Sequence, residues 1–339
     1  MSDNRGSIPD TSSPTKTMGR GKKWLKPSLY GLAVLLFALL PLFFSSPYAL
    51  YILILIFVYI IAAESFRIIN ISGQFPLAHG AFLGLGAYFS AMAAMWLNWP
   101  PYVAIPAAAV ATMVVGIITG YPFSRLRAFY YAMGTLFFGI GVVFIIEAGG
   151  KWTGGYSGMT DTHPIFVGGS NITYYYFFLG LAVFSCIAMY RFEFSRIGMS
   201  LKAVAQSPLA ASSIGINESF YRILAVAVGC FFVGLAGAAY APYNMVLSPT
   251  SFGFMTTLWI AVYVIVGGIR SFAGPIIGTI IIMLIPELSR GLKLYSPYVS
   301  VVILALVVYL MPEGLVSLPK LVREWYSGRR KREKVAPPS

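Results

Sequence analysis

Long apolar runs, each broken by a few polar or cationic residues, recur from one end of the chain to the other. They predict helices near 29–45, 48–66, 75–97, 101–121 and 129–147, then near 172–190, 221–242, 254–268, 274–290 and 297–313. Roughly 20 apolar residues carry a helix across about 30 Å of hydrocarbon. Helices and closed barrels are the two structures that satisfy their backbone in lipid, and runs that are continuous rather than alternating select the helix. At 75–97 and around 268–274, glycine, proline and a very short turn leave re-entrant segments open. The expectation is an all-α integral membrane protein, a polytopic helical bundle of about 10 (8–10) transmembrane helices.

Composition agrees with the pattern. Of 339 residues, 58% are hydrophobic and 10% charged, against roughly 45–50% apolar and about 25% charged in soluble domains. The net charge of +13 is concentrated at the ends: +4 lies before Pro27 and +5 from Lys320 onward. Lysine and arginine accumulate on the cytoplasmic side of membrane helices, so both termini are expected in the cytoplasm. The intervening loops follow suit, with Arg67, Arg125, Arg127, Arg191, Arg196, Lys202 and Arg270 on that side, and Lys151, Lys293 and Arg290 opposite. Residues 1–27 read as a disordered basic cytoplasmic tail, 28–317 as a transmembrane domain and 318–339 as a second basic cytoplasmic tail. The first apolar run is too long for a cleavable signal, and no small-residue cleavage site follows it. The tails flank membrane helices without a nucleic-acid motif, which argues against that class of partner.

Several chemistries lack their residues. No G-x-x-x-x-G-K-[ST] phosphate cradle is present, so ATP hydrolysis in the P-loop manner is excluded for this chain alone. His79 and His163 are the only histidines and have no cysteine at ligand spacing, which leaves no metal site. No nucleophile–base pair stands out, and the chain is not expected to be an enzyme. Glu64, Arg67, Glu147 and Glu287 fall near predicted helix ends and read as interfacial groups rather than as a proton relay. Cys186 and Cys230 lie in apolar runs and read as packing residues. Gly80 with Gly84, Gly116 with Gly120 and Gly274 with Gly278 stand four apart, the spacing that lets helices approach closely in lipid.

One connection is unlike the rest. Residues 195–217, SRIGMSLKAVAQSPLAASSIGIN, form a mildly amphipathic cationic segment between two long apolar runs. Leu201, Val204, Ala205, Pro208 and Leu209 share a helical stripe, with Lys202, Gln206 and Ser213 off it. Pro208 breaks or restarts the helix, predicting two short pieces. Such a segment either rests on lipid headgroups or docks into a groove on a soluble partner.

The blocks SGQFPLAHGAFLGLGAY, RLRAFYYAMGTLFFG, TGGYSGM, IGMSLKAVAQSPLAASSIGIN and VGGIRSFAGPIIG follow one another from about Gly73 to Gly314, together with SPTSFGF and PEL. In this order they resemble the membrane permease of ABC importers for branched-chain amino acids, the LivM type. The resemblance implies a multi-pass permease in a bacterial plasma membrane, the inner membrane if the cell is Gram-negative. Its implied partners are a second related permease subunit, two cytoplasmic ABC ATPase subunits that hydrolyse ATP with Mg, and an extracytoplasmic solute-binding protein. No cofactor would be bound by this chain itself.

Residue by residue, the resemblance makes 191–220 the coupling segment, with Leu201, Lys202, Val204, Leu209, Ala210, Ala211 and Gly215 meeting the ATPase. Two alanines suit close helix approach, Gly215 suits a helix terminus, and Lys202 would meet acidic groups of an ATPase groove. Thr153, Gly154, Gly155 and Gly158 of the extracytoplasmic loop 148–171 match a T-G-G-x-x-G element, as a gate, a docking surface or an ordinary ordered loop. Gln74, His79, Tyr88 and Thr135 are the candidates for lining the pathway, with Gln74 and His79 equally suited to capping or bridging helices.

The chain also departs from the family. Met199, Ala205 and Ser207-Pro208 replace a usually charged stretch, Ile140 after Gly139 stands where a glutamate is frequent, and Pro76 and Asn70 replace serine and glycine. These imply a matched, divergent ATPase pair, a cargo that can differ from the usual one, and a different bend before the third helix. The function expected is passage of branched-chain amino acids, or of urea or another amide, driven by separate ATPases. An ion-coupled secondary transporter and a non-transporting membrane scaffold are the alternatives from other classes.

Overall fold

The computed structural model describes residues 31, 34–41, 46–126, 128–160, 164–166 and 168–288. The expected helix at 297–313, both basic tails and part of the helix at 29–45 lie outside these residues. Residues 34–41 are helical and belong to a unit of their own that ends at Phe44.

Between Ser46 and Leu288 the described residues form a helical bundle. Ser46 caps the first helix, α1 (Pro47–Ile71), by accepting from Ala49 N, and Pro47 presets the first turn. Then come α2 (His79–Trp96), α3 (Pro101–Phe123), α4 (Ala128–Ala148) and α5 (Asn171–Glu193). Two short helices follow, α6 (Arg196–Gln206) and α7 (Pro208–Ser213), before α8 (Glu218–Asn244), α9 (Phe254–Gly267) and α10 (Ala273–Leu288). Two-residue strands β1 (Met159–Thr160) and β2 (Val246–Leu247) pair antiparallel, Met159 opposite Leu247. Among the described residues six helices are long and apolar enough to cross a membrane, and Ala273–Glu287 is a shorter apolar one.

The long α8 is the centre, packed on α1, α2 and α3. Against α3 it runs antiparallel in four-residue steps: Arg222 donates to Ser124 O, Val226 faces Gly120, Cys230 faces Gly116 and Gly234 faces Thr112. Small residues at these steps replace the side-chain ridges that hold soluble helices apart. At its start, Asn217 caps α8 through Phe220 N, and Glu218 pairs with Arg222 at 2.8 Å.

The segment at 75–97, where a crossing and a re-entrant course were both open, begins its helix inside the bundle. After Ile71 the chain turns at Gly73 (φ +83°) and runs without helix to Ala78. His79, the first residue of α2, already lies beside Ala62 and Ser65 of α1. At 1.5 Å per residue that point is roughly 10 Å inside the end of α1. The first turn of α9 arrives at the same depth, where Thr257 Oγ1 accepts from Gly80 N at 2.8 Å. Two helix N-termini thus meet inside the bundle. Pro76 has a clear part in this, since proline keeps the preceding residue out of the helical region.

Candidate coupling site

At one end of the bundle the chain leaves α5, folds α6 and α7 across the surface, and returns in α8. Ser195 caps α6 by accepting from Gly198 N, and Gly198 lies so close to Glu193 O that any side chain there would collide with it. The end of α5 and the start of α6 are therefore one rigid corner. Ser207 ends α6 and caps α7 through Ala210 N at 3.3 Å, with Pro208 at the first helical position. Gly215 (φ +85°) closes α7 in a Schellman motif, in which Ile216 N donates to Ala211 O and Gly215 N to Ser212 O.

The expected docking stripe divides between two faces. Leu201, Val204 and Ala211 are buried against the bundle, and Ala205 lies over Gly73. Leu209 (83% exposed), Ile214 (73%) and Ala210 point away from the bundle. Leu201 and Val204 thus anchor the segment, whereas Leu209, Ala210 and Ile214 are available to something else.

Lys202 is engaged within the chain. Its Nζ lies 2.9 Å from Glu193 Oε1 and 4.9 Å from the centre of the Phe194 ring. The other oxygen of Glu193 accepts from both terminal nitrogens of Arg67, at 2.7 and 2.8 Å. Arg67 Nε donates to Ile269 O at 3.1 Å, and its guanidinium covers the Phe272 ring at 5.4 Å. Arg67 and Glu64 were expected at the interface because the apolar run stops at Phe66. Instead α1 continues to Ile71, and these side chains are 1% and 0% exposed. Glu193, on α5, supplies the countercharge that makes burying Arg67 tolerable. Glu147 and Glu287 do sit at helix ends, the latter accepting from Tyr48 OH at 2.8 Å.

At the opposite end, Thr153 Oγ1 donates to Ile146 O, and Gly154, Gly155 and Gly158 all have positive φ. Gly158 (φ +79°, ψ −178°) occupies a region essentially confined to glycine, and it packs on Leu247 O. The T-G-G-x-x-G spacing is thereby explained as the turn that sets β1 on β2. Gly158→Ala is expected to lower stability by about 1–3 kcal/mol through backbone strain alone, seen as a lower melting temperature of the purified protein. Trp152 packs on Trp96 at 5.1 Å and both are exposed, as aromatic side chains at a membrane–water boundary are.

The four pathway candidates are all buried and each makes at least one hydrogen bond, while Gln74 Nε2 and His79 Nδ1 find no partner among the described residues. His79 Nε2 lies 2.8 Å from Ser65 Oγ and 3.1 Å from Ala62 O. Thr135 Oγ1 accepts from Leu77 N at 3.1 Å, tying α4 to the turn before α2. Tyr88 OH donates to Leu247 O, and Gln74 Oε1 accepts from Ser72 Oγ. They do not converge on one spot. Two cavities of about 10 Å³ each lie near them, one lined by Pro76, Tyr131 and Thr135, the other by Leu77, Ile140 and Thr257. Each is room for about one water and far too small for an amino acid.

The family model for the branched-chain amino acid transport system permease component matches residues 48–312. The chain belongs to this permease family. It is 25% identical to the high-affinity branched-chain amino acid transport system permease protein LivM of Salmonella typhimurium over 337 residues, 91% of this chain and 79% of that one. The LivM protein of Escherichia coli matches at the same identity and coverage. LivH of Escherichia coli, another permease protein of such a system, is 30% identical over 131 residues, 38% of this chain and 42% of its own. No solved structure matches.

The matched region of this multi-pass permease runs through α1–α10 and takes in the α6–α7 segment. Glu193 is the site residue that sequence reasoning passed over. Its signal was a lone acid in the cationic stretch RFEFSR, three residues after the apolar run that ends at Tyr190. Ile269 and Phe272 carried no signal, since one acts through its carbonyl and the other through its ring face.

Proposed function

We propose that this permease forms, with a second related subunit, the translocation path of a bacterial ABC importer for branched-chain amino acids or a related small polar solute such as urea or another amide. The observation that carries the reading is the family match over residues 48–312, because it spans the membrane helices and the α6–α7 protrusion together. The names of the LivM and LivH relatives support both the cargo class and the presence of two kinds of permease. Leu209 and Ile214 form the surface for a cytoplasmic ATPase, which binds and hydrolyses ATP with Mg, while an extracytoplasmic binding protein delivers solute at the β1–β2 end. ATP binding moves α6 and α7, and the helices rock between outward and inward access.

The arrangement in the bacterial plasma membrane has about ten crossings and both termini in the cytoplasm. Arg125, Arg191, Arg196, Lys202 and Arg270 around the α6 end, against Lys151 by the hairpin, favour that orientation. Single cysteines at the exposed positions Ser157 and Ser213 are expected to be labelled by an impermeant reagent from opposite sides of intact cells. Labelling of both from one side would refute the layout.

Buried Glu64 gives one argument for an ion-coupled transporter, since acids inside membranes often relay protons. Vesicle uptake separates the two readings. The importer needs ATPase subunits and internal ATP; uptake by this chain alone, driven by a proton or sodium gradient, would overturn it.

A further inference from the structure

The ion cluster under α6 has one member too many. Arg67 spends both terminal nitrogens on a single oxygen, Glu193 Oε2, and Lys202 takes the other oxygen of that carboxylate. Glu64, one turn earlier on α1, is fully buried, and among the described residues neither of its oxygens accepts a hydrogen bond. Yet Glu64 Oε2 is 3.8 Å from Arg67 Nη1. Closing that gap to hydrogen-bond length takes about 1 Å. A buried carboxylate left unsatisfied is costly, and its presence calls for a reason.

We infer that Glu64 is the second seat of Arg67, and that the move of Arg67 from Glu193 to Glu64 carries displacement of α6 into the membrane helices. The connection runs through named contacts. Gly198 is wedged against Glu193 O, and Lys202 of α6 holds the Glu193 side chain, so α6 cannot shift without Glu193. When Glu193 withdraws, Arg67 would be left as an uncompensated buried cation unless another carboxylate stood within reach. Glu64 is that carboxylate. Arg67 also grips the α9–α10 turn through Ile269 O and Phe272, and α9 begins where Thr257 holds Gly80 of α2. A change of seat by Arg67 therefore acts on the two helices whose N-termini meet inside the bundle. Glu64 is a positioning residue in this scheme, acting on transport through Arg67.

The inference rests on the reading of α6 and α7 as the ATPase contact, and one experiment keeps the two apart. Wild-type, Glu64→Leu, Glu64→Gln and Glu64→Asp permeases are assembled with their ATPase, partner permease and binding protein in proteoliposomes, and ATP hydrolysis and solute uptake are measured in the same vesicles. A buried acid with no other duty can be replaced by an apolar residue at little loss, or with a gain, in stability. Glu64→Leu and Glu64→Gln are expected to assemble and hydrolyse ATP, with uptake per ATP lowered about tenfold, the size of a typical coupling energy. Glu64→Asp is expected to recover most of it. Unchanged uptake per ATP in the Leu or Gln variant would overturn the inference, as would failure of both to assemble, which would make Glu64 structural. Absence of ATP-driven uptake by the wild type would instead overturn the proposed function.

Discussion

Leu209→Asp is expected to cut ATP-driven uptake by roughly ten- to a hundredfold while leaving the bundle folded. Burying a leucine side chain contributes about 1.5–3 kcal/mol, and each 1.4 kcal/mol is about tenfold in an association constant. In the isolated permease Leu209 is 83% exposed and Ile214 73%, on a helix of six residues held from beneath by Ala211. A carboxylate at that position meets water in the free subunit, so folding has no reason to suffer. In the assembled importer it would enter an apolar contact without a partner, which is unfavourable. Co-purification with the ATPase subunits and uptake in proteoliposomes are the two measurements. If α7 merely rested on lipid headgroups, the same change would loosen it from the membrane surface and leave ATPase association intact, and that result would sink the docking assignment.

Pro208 shows what a sequence can disclose about this segment. Proline cannot continue a helix but suits its first turn, so one residue announced both the end of α6 and the start of α7. Gly215 was readable for the same kind of reason, as the residue that tolerates a left-handed helix terminus. Helix positions followed from apolar runs, and α3, for instance, spans Pro101–Phe123 where 101–121 was expected. Direction around the helix was harder to read. Leu201, Val204 and Leu209 share one stripe by periodicity, yet the break at Pro208 turns Leu209 outward while the other two face the bundle.

Charge misled at Arg67 because hydropathy counts a residue's own transfer cost and not its partners. Arg67 looked like the end of a helix; its countercharge at Glu193 is 126 residues away, on another helix. Nothing in a local window shows such a pair. The start of α2 was concealed similarly, since LAHGAFLGLGAY remains apolar whether it begins at a membrane surface or inside the bundle. Only the bonds from His79 to Ala62 and from Gly80 to Thr257 place it inside.

The largest expected effect on stability comes from the crossing of α2 and α8. A Cβ on Gly237 would overlap Leu83 O, and a Cβ on Gly86 would overlap Gly234 O. The obstacles are backbone atoms of two long helices, which cannot swing aside as the tip of a flexible side chain can. Overpacking in a core typically costs about 1–3 kcal/mol and occasionally more; Gly237→Ala and Gly86→Ala are expected at or above the top of that range. Larger residues at either position should prevent recovery of monodisperse protein. Gly141→Ala on α4 and Gly180→Ala on α5 are the controls, because nothing lies within 4 Å of a Cβ at either position. Alanine also favours a helix over glycine by about 1 kcal/mol, so both controls should melt at or above the wild-type temperature in detergent. Equal melting temperatures for Gly237→Ala and Gly180→Ala would mean that α2 and α8 do not cross at these glycines. The positions would then have no claim to shaping the bundle, since helix propensity alone treats them alike.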